Sequence, residues 1–150
     1  MKRCTKGIAC LAAIVMLVGV LASPVAAIAQ PRASDYISDY YFDISASSGG
    51  NITVTVDVTA TGVFAYVGFS SVSIQVYENS KWTNVATYSG LVGTSQIMGR
   101  NTASFANELT YKGTIGKMYR AIGAVYCGKD SSYINCDTRT GLDTGSVTAK

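Results

Sequence analysis

Residues 52–60 read ITVTVDVTA, with an apolar residue at every second position from Ile52 to Ala60 and threonine or aspartate between them. Side chains of a β-strand point alternately to its two faces, so this alternation predicts a strand with one buried and one hydrated face. Residues 40–47 and 71–77 alternate in the same way. The most regular part of the chain therefore predicts β structure.

The rest of the chain extends this pattern to about seven strands. Four further segments carry the β-branched and aromatic residues favoured in strands: residues 82–88, 102–111, 118–127 and 133–140. Glycine, asparagine and serine between the segments predict turns at residues 48–51, 61–62, 78–81, 112–116 and 128–130. We expect residues 63–70 to be a short strand or a crossover, and residues 90–100 to be a longer loop.

One-sided strands need a second layer to cover their apolar faces. The sequence therefore predicts an all-β fold, a two-sheet antiparallel sandwich of the immunoglobulin or fibronectin III type. Residues 116–126 support this prediction, because a glycine turn, Tyr119 and an alternating strand resemble the tyrosine corner of such sandwiches. An up-and-down barrel is the alternative.

The amino-terminal segment has the pattern of a secretory signal peptide. Three basic residues within the first six positions precede the apolar residues 8–22, and a small-x-small triplet ends at Ala29. We expect a signal peptide over 1–29, cleavage between Ala29 and Gln30, and a single secreted domain over 30–150. An uncleaved anchor is disfavoured because a spanning helix needs roughly 20 apolar residues.

The charge of the chain comes from this leader. The formal net charge is +3, from 12 basic and 9 acidic residues, and the leader holds Lys2, Arg3 and Lys6. The predicted domain is therefore close to neutral. It has no clustered positive face of the kind that nucleic acids or anionic membranes attract, so we expect neither as a partner.

The chain contains no histidine. Catalytic triads, Cys-His pairs and nearly all catalytic zinc sites need that residue, so we expect no enzyme, no catalytic residue, no cofactor and no metal ligand set. The segment 130–137 carries oxygen ligands suited to calcium but lacks the spacing of a known calcium loop, so calcium binding there stays open.

Cys127 and Cys136 are the two cysteines that follow the leader. Exported proteins work in an oxidising environment, in which an even number of cysteines most simply forms disulfides. We expect a structural Cys127–Cys136 disulfide that closes the loop between the last two strands.

Aromatic residues supply the candidate binding face. All ten tyrosines and the single tryptophan follow the leader, and several tyrosines are out of phase with the apolar positions. Exposed aromatics stack against sugars or anchor a protein partner, whereas cross-strand aromatic pairs can also serve only to stabilise a sheet. The candidate face consists of Tyr41, Tyr77, Trp82, Tyr126 and Tyr133.

Three stretches carry a resemblance to a known group of proteins: Ser48-Gly49-Gly50 before an alternating strand, Thr59-Ala60-Thr61-Gly62, and residues 119–125. Together they resemble uncharacterised small secreted β-sandwich proteins of Gram-positive bacteria. The resemblance implies a secreted sandwich without implying an activity. We expect a non-enzymatic extracellular binding module for a cell-surface glycan or protein. The alternatives are a structural envelope or matrix protein without a discrete ligand and, less favoured, a small hydrolase.

Overall fold

The computed structural model describes residues 35–93 and 95–150, so the predicted leader and its cleavage site lie outside the described residues. A three-residue 3₁₀ turn, Ser48–Gly50, joins the first two strands, and the described part of the chain contains no α-helix. The strands are β1 (Ile37–Ser47), β2 (Asn51–Glu78), β3 (Lys81–Ser89), β4 (Met98–Lys112), β5 (Met118–Gly128) and β6 (Cys136–Thr148).

All strand pairs are antiparallel and belong to one sheet, which curls into a half-barrel. The all-β, antiparallel prediction is therefore confirmed. The structure has six strands instead of about seven, and the predicted separation into two sheets is not seen in it. The predicted last strand, 133–140, also begins later and runs further, because residues up to Asn135 form a loop.

The strand count differs because β2 runs without interruption through 28 residues. The predicted strands 52–60 and 71–77 lie in its two halves. The strand continues through residues 61–62, where the sequence predicts a turn, and through residues 63–70, where it predicts a short strand or a crossover. The pairing register shifts between Thr59 and Phe64 towards β4 and between Phe69 and Ser71 towards β5. A register shift means that one strand carries extra residues, which bend it. The two halves of β2 therefore lie in two parts of the curled sheet, which we call its two walls.

Each half of β2 has its own pair of neighbours. β1 and β4 pair with the first half, and β3 and β5 pair with the second half. Around Tyr66–Gly68 both β4 and β5 pair with β2, so these two strands lie on opposite edges of it. β6 extends the sheet beyond β5.

The inner faces of the two walls form one core. Ile52 at the start of β2 and Tyr119 of β5 both lie close to Gly113. A β-carbon at Gly113 would be 3.2 Å from Ile52 Cγ1 and 2.9 Å from Tyr119 Cε2, so the two side chains approach the same point. The rings of Phe42 and Phe69 also meet across the core, with centroids 4.9 Å apart. β2 supplies most of the fully buried aliphatic residues: Ile52, Val54, Val56, Val58, Val67, Val72 and Ile74.

Tyr119 ties β5 to the loop that precedes it. Its ring is buried, and the Thr114 backbone N–H donates to Tyr119 Oη at 2.8 Å. A hydroxyl that binds backbone a few residues upstream is the local contact expected of a tyrosine corner. Tyr119 therefore makes this local contact within a curled single sheet.

We predict that Gly68→Ala lowers the free energy of unfolding by roughly 1–3 kcal/mol. Gly68 has φ +152°, and a β-carbon there would overlap the Ile97 carbonyl oxygen, so alanine would strain the bend of β2. The matched control is Gly62→Ala in the same strand, where a β-carbon meets nothing within 4 Å; its effect should stay below about 1 kcal/mol. Urea unfolding followed by Trp82 fluorescence measures both. Equal midpoints for the two variants would contradict this account of the bend.

Candidate functional site

The structure divides the predicted binding face into three places. Tyr77 and Trp82 lie together at the β2–β3 turn, and Tyr126 and Tyr133 lie together at the β5–β6 loop. Tyr41 stands apart on β1, where its hydroxyl donates to Asp43 Oδ2 at 3.1 Å. One continuous face made of all five aromatics is therefore not formed.

Tyr77 and Trp82 are held opposite each other by a two-residue turn. Asn79 and Ser80 have φ of 51° and 62°, the left-handed values that a tight hairpin turn needs. The turn sets Tyr77 directly across from Trp82 in the strand register. Their ring centroids lie 5.1 Å apart with an interplanar angle of 55°, so the pair forms a rigid aromatic ledge on the outer side of the sheet.

Arg120 reaches this pair from β5. Its guanidinium carbon lies 4.4 Å from the centroid of the Trp82 ring, a distance typical of cation–π contact. The Nε of Arg120 donates to Gln75 Oε1 at 2.8 Å, and Gln75 Nε2 donates to Asn84 Oδ1 at 2.8 Å. We call Gln75, Tyr77, Trp82, Asn84 and Arg120 the aromatic–arginine face.

Three of these five residues were missed by sequence reasoning. Gln75 shares the outward phase of Tyr77, two residues earlier, and that signal could have identified it. Asn84 follows Trp82 by two residues and carries the same signal, whereas Arg120 has no predicted site residue two positions away. Their positions depend on how β3 and β5 pair with β2, and pairing between distant segments is not visible in local alternation.

Four charged side chains beside the face form two ion pairs. Arg120 Nη1 lies 2.9 Å from Asp143 Oδ2, and Lys117 forms an ion pair with Glu78. The hydrogen bond to Glu78 raises the pKa of Lys117. All four side chains retain solvent contact, so these pairs contribute little stability. Lys81, next to Trp82 at the start of β3, is exposed and adds one positive charge to this surface.

A shallow open depression of about 530 Å³ borders this face. It lies between the β2–β3 turn and the loop that leads into β5. Tyr77 forms part of its wall and remains 39% exposed, so the ring is accessible from the depression. The lining residues are Tyr77, Glu78, Asn79, Gly116, Lys117 and Met118.

Tyr126 does not belong to an exposed face, contrary to the sequence prediction. Its position on β5 is outward, but the β5–β6 loop covers it and its exposed fraction is 0%. Tyr133 packs on it edge to face at 5.1 Å, and the Tyr126 hydroxyl donates to the Asp130 carbonyl. Burial, followed by the hydrogen bond with Cys136, raises the pKa of Tyr126. This tyrosine therefore anchors the loop.

The predicted Cys127–Cys136 disulfide is also wrong for this structure, in which both cysteines are free thiols. Cys127 pairs with Asp137, and Cys136 pairs with Gly128. Neighbouring positions on a strand point to opposite faces, so Cys127 lies in the core while Cys136 lies beside Tyr126 on the outer side. Burial raises the pKa of the Cys127 thiol to about 12.

We predict that iodoacetamide labels Cys136 in the native protein and labels Cys127 only after denaturation in urea. Cys127 is completely buried, and its raised pKa leaves little reactive thiolate at pH 8. Peptide mapping by mass spectrometry reads both positions separately, and the urea-treated sample is the control. A Cys127–Cys136 cross-linked peptide in the non-reduced digest would contradict the register of β5 and β6.

In the candidate calcium loop, the first carboxylate, Asp130, forms hydrogen bonds within the loop. Asp130 Oδ1 accepts hydrogen bonds from the Ser132 hydroxyl and from the Ser132 backbone N–H, and these bonds lower the pKa of Asp130. Within residues 35–93 and 95–150, no group of three or more His, Cys, Asp or Glu side chains could hold a metal ion. In the same residues, no helix has the length and apolar character needed to cross a bilayer.

Comparisons with protein-family models, with curated proteins and with solved structures found no match to this chain. The functional argument therefore depends on the geometry of the chain's own residues, above all on the aromatic–arginine face and the depression beside it.

Proposed function

We propose that this chain is a non-enzymatic, exported binding module that contacts its ligand through the aromatic–arginine face. The observation that carries the proposal is the Tyr77–Trp82 pair on the exposed side of the sheet, with Arg120 over the Trp82 ring and an open depression beside Tyr77. The partner is a glycan or a protein at the cell surface. Export after cleavage at Ala29 belongs to the same proposal and is supported by the leader sequence.

Rigidity favours a binding role for this face. Its residues lie on three paired strands, and the two-residue turn and the Gln75–Arg120 and Gln75–Asn84 hydrogen bonds hold the side chains in place. A preorganised surface loses little conformational freedom when a ligand binds, so more of the contact energy remains as affinity. Aromatic and arginine side chains are also those that most often dominate binding energy.

The chemistry near the face favours binding over catalysis. The chain has no histidine to act as a general base at neutral pH. Beside the face, Asp143 is ion-paired with Arg120 and Glu78 with Lys117. Both carboxylates are engaged by a cation and remain partly exposed to solvent.

A structural envelope or matrix protein without a discrete ligand is the second candidate. The contacts of Trp82 with Tyr77 and Arg120 favour it, because such cross-strand contacts stabilise a sheet even when no ligand binds.

We also propose that the fold is related to immunoglobulin or fibronectin III domains and that the chain is related to small secreted sandwich proteins of Gram-positive bacteria. The Tyr119 contact supports the first proposal, and the sequence stretches that carry the resemblance support the second.

We predict that Trp82→Ala abolishes ligand capture, on a glycan array or from a cell-surface protein extract, because it removes the centre of the aromatic–arginine face. Tyr41→Ala is the matched control: Tyr41 is an aromatic residue, 56% exposed, on the other wall of the sheet, and its loss should leave capture unchanged. Urea unfolding of both variants, followed by circular dichroism because Trp82→Ala has no tryptophan, checks that they fold. No capture by the wild-type chain, or equal capture by Trp82→Ala, would contradict the proposed function.

A further inference from the structure

We propose that the ligand of the aromatic–arginine face is a neutral oligosaccharide, with one sugar ring seated on Tyr77 at the edge of the depression. This inference rests on the proposed function and names the ligand class. Three independent features of the face support it: the exposed aromatic ring, the amide groups around that ring and the neutralised charges.

The exposed ring matches one side of a sugar. A pyranose presents C–H groups on its faces, and aromatic rings attract such groups through their negative faces and their flat apolar area. Arg120 covers part of Trp82, whereas Tyr77 stays 39% exposed and borders the depression. Tyr77 is therefore the ring that a sugar contacts, and Trp82 holds it in place.

The amide groups match the hydroxyls around the edge of a sugar. Each sugar hydroxyl both donates and accepts hydrogen bonds, and a primary amide offers the same two functions. Asn79 is exposed in the turn beside Tyr77. Asn84 is exposed on β3; its Oδ1 accepts from Gln75, and its Nδ2 supplies two further donors. Hydrogen-bond donors and acceptors thus lie on both sides of the Tyr77–Trp82 pair.

The charge balance selects a neutral sugar over an acidic one. Arg120 already binds Gln75 and Asp143, and Lys117 already binds Glu78. An acidic polysaccharide would need cations free to meet its carboxylates or sulfates. Besides the exposed Lys81, it would meet the paired cations Arg120 and Lys117 and the carboxylates of Asp143 and Glu78. A neutral chain leaves both ion pairs intact.

The composition of the face also favours a sugar over a protein. The centre of a protein interface is depleted of charged residues and more apolar than its rim. Here the uncharged amides Gln75 and Asn84 lie beside the aromatic pair, and the adjoining depression has Glu78 and Lys117, two residue types depleted at protein interfaces, in its wall. Its volume of about 530 Å³ is within the range of small-ligand sites, which suits a short stretch of sugar rings.

The single tryptophan makes the test direct, because Trp82 is the only indole in the chain and stands in the proposed site. The full chain secreted from a bacterial host is titrated with cellopentaose, xylopentaose, chitopentaose and maltopentaose, and separately with pentagalacturonate as the acidic probe. We expect a saturable change in Trp82 emission with at least one neutral probe and none with pentagalacturonate.

Variants of Tyr77, measured by titration calorimetry with the responding probe, locate the sugar. Tyr77→Ala should weaken binding at least about tenfold, which corresponds to about 1.4 kcal/mol, whereas Tyr77→Phe keeps the ring and should remain within about threefold of wild type. Tyr41→Ala should bind like wild type. Urea unfolding confirms that each variant folds.

Three results would overturn this inference: no response to any neutral probe, a response to pentagalacturonate alone, or wild-type affinity in Tyr77→Ala. These results are distinguishable from failure of the proposed function. If Trp82→Ala still abolishes capture of a protein or an acidic glycan, the aromatic–arginine face remains a binding site and only the ligand class is wrong.

Discussion

The bend in β2 is the constraint on which the rest of the structure depends. A straight strand of 28 residues would spread its apolar face over a wide open sheet, with much of that face in water. The register shifts near Phe64 and Phe69 turn the second half towards the first. The valines and isoleucines of both halves are then buried against each other, and burial of apolar area contributes roughly 25 cal/mol per Å².

The same bend builds the aromatic–arginine face. It gives the second half of β2 its own neighbours, with β3 on one edge and β5 on the other. Trp82 comes from β3 and Arg120 from β5. Gln75 of β2 lies between these strands and forms hydrogen bonds to Asn84 of β3 and Arg120 of β5. The candidate site therefore exists only where three strands, distant in the sequence, lie side by side.

Local alternation predicted most of the strand segments but not that two of them form the single strand β2, and non-local pairing explains what it could not predict. The phase of residues 52–60 and of Tyr77 followed from period-two patterning, whereas Thr61-Gly62 carries turn residues and yet continues the strand because β2 is paired on both sides of that point. Cys127 and Cys136 have the spacing of a hairpin disulfide, but strand register decides which face each thiol occupies. The alternation places Tyr126 on the outer face of β5, but the β5–β6 loop folds over it, and the alternation cannot predict this covering.

The continuity of β2 also determines where this molecule tolerates interruption. Asn79 and Ser80 form an exposed two-residue turn, so new termini or an inserted peptide at that point would leave every strand whole. A break at residues 61–62 would cut the one strand shared by both walls, and each fragment would keep an apolar face with nothing to cover it. The two walls therefore form a single cooperative unit, and loss of pairing in one should be transmitted to the other as global unfolding.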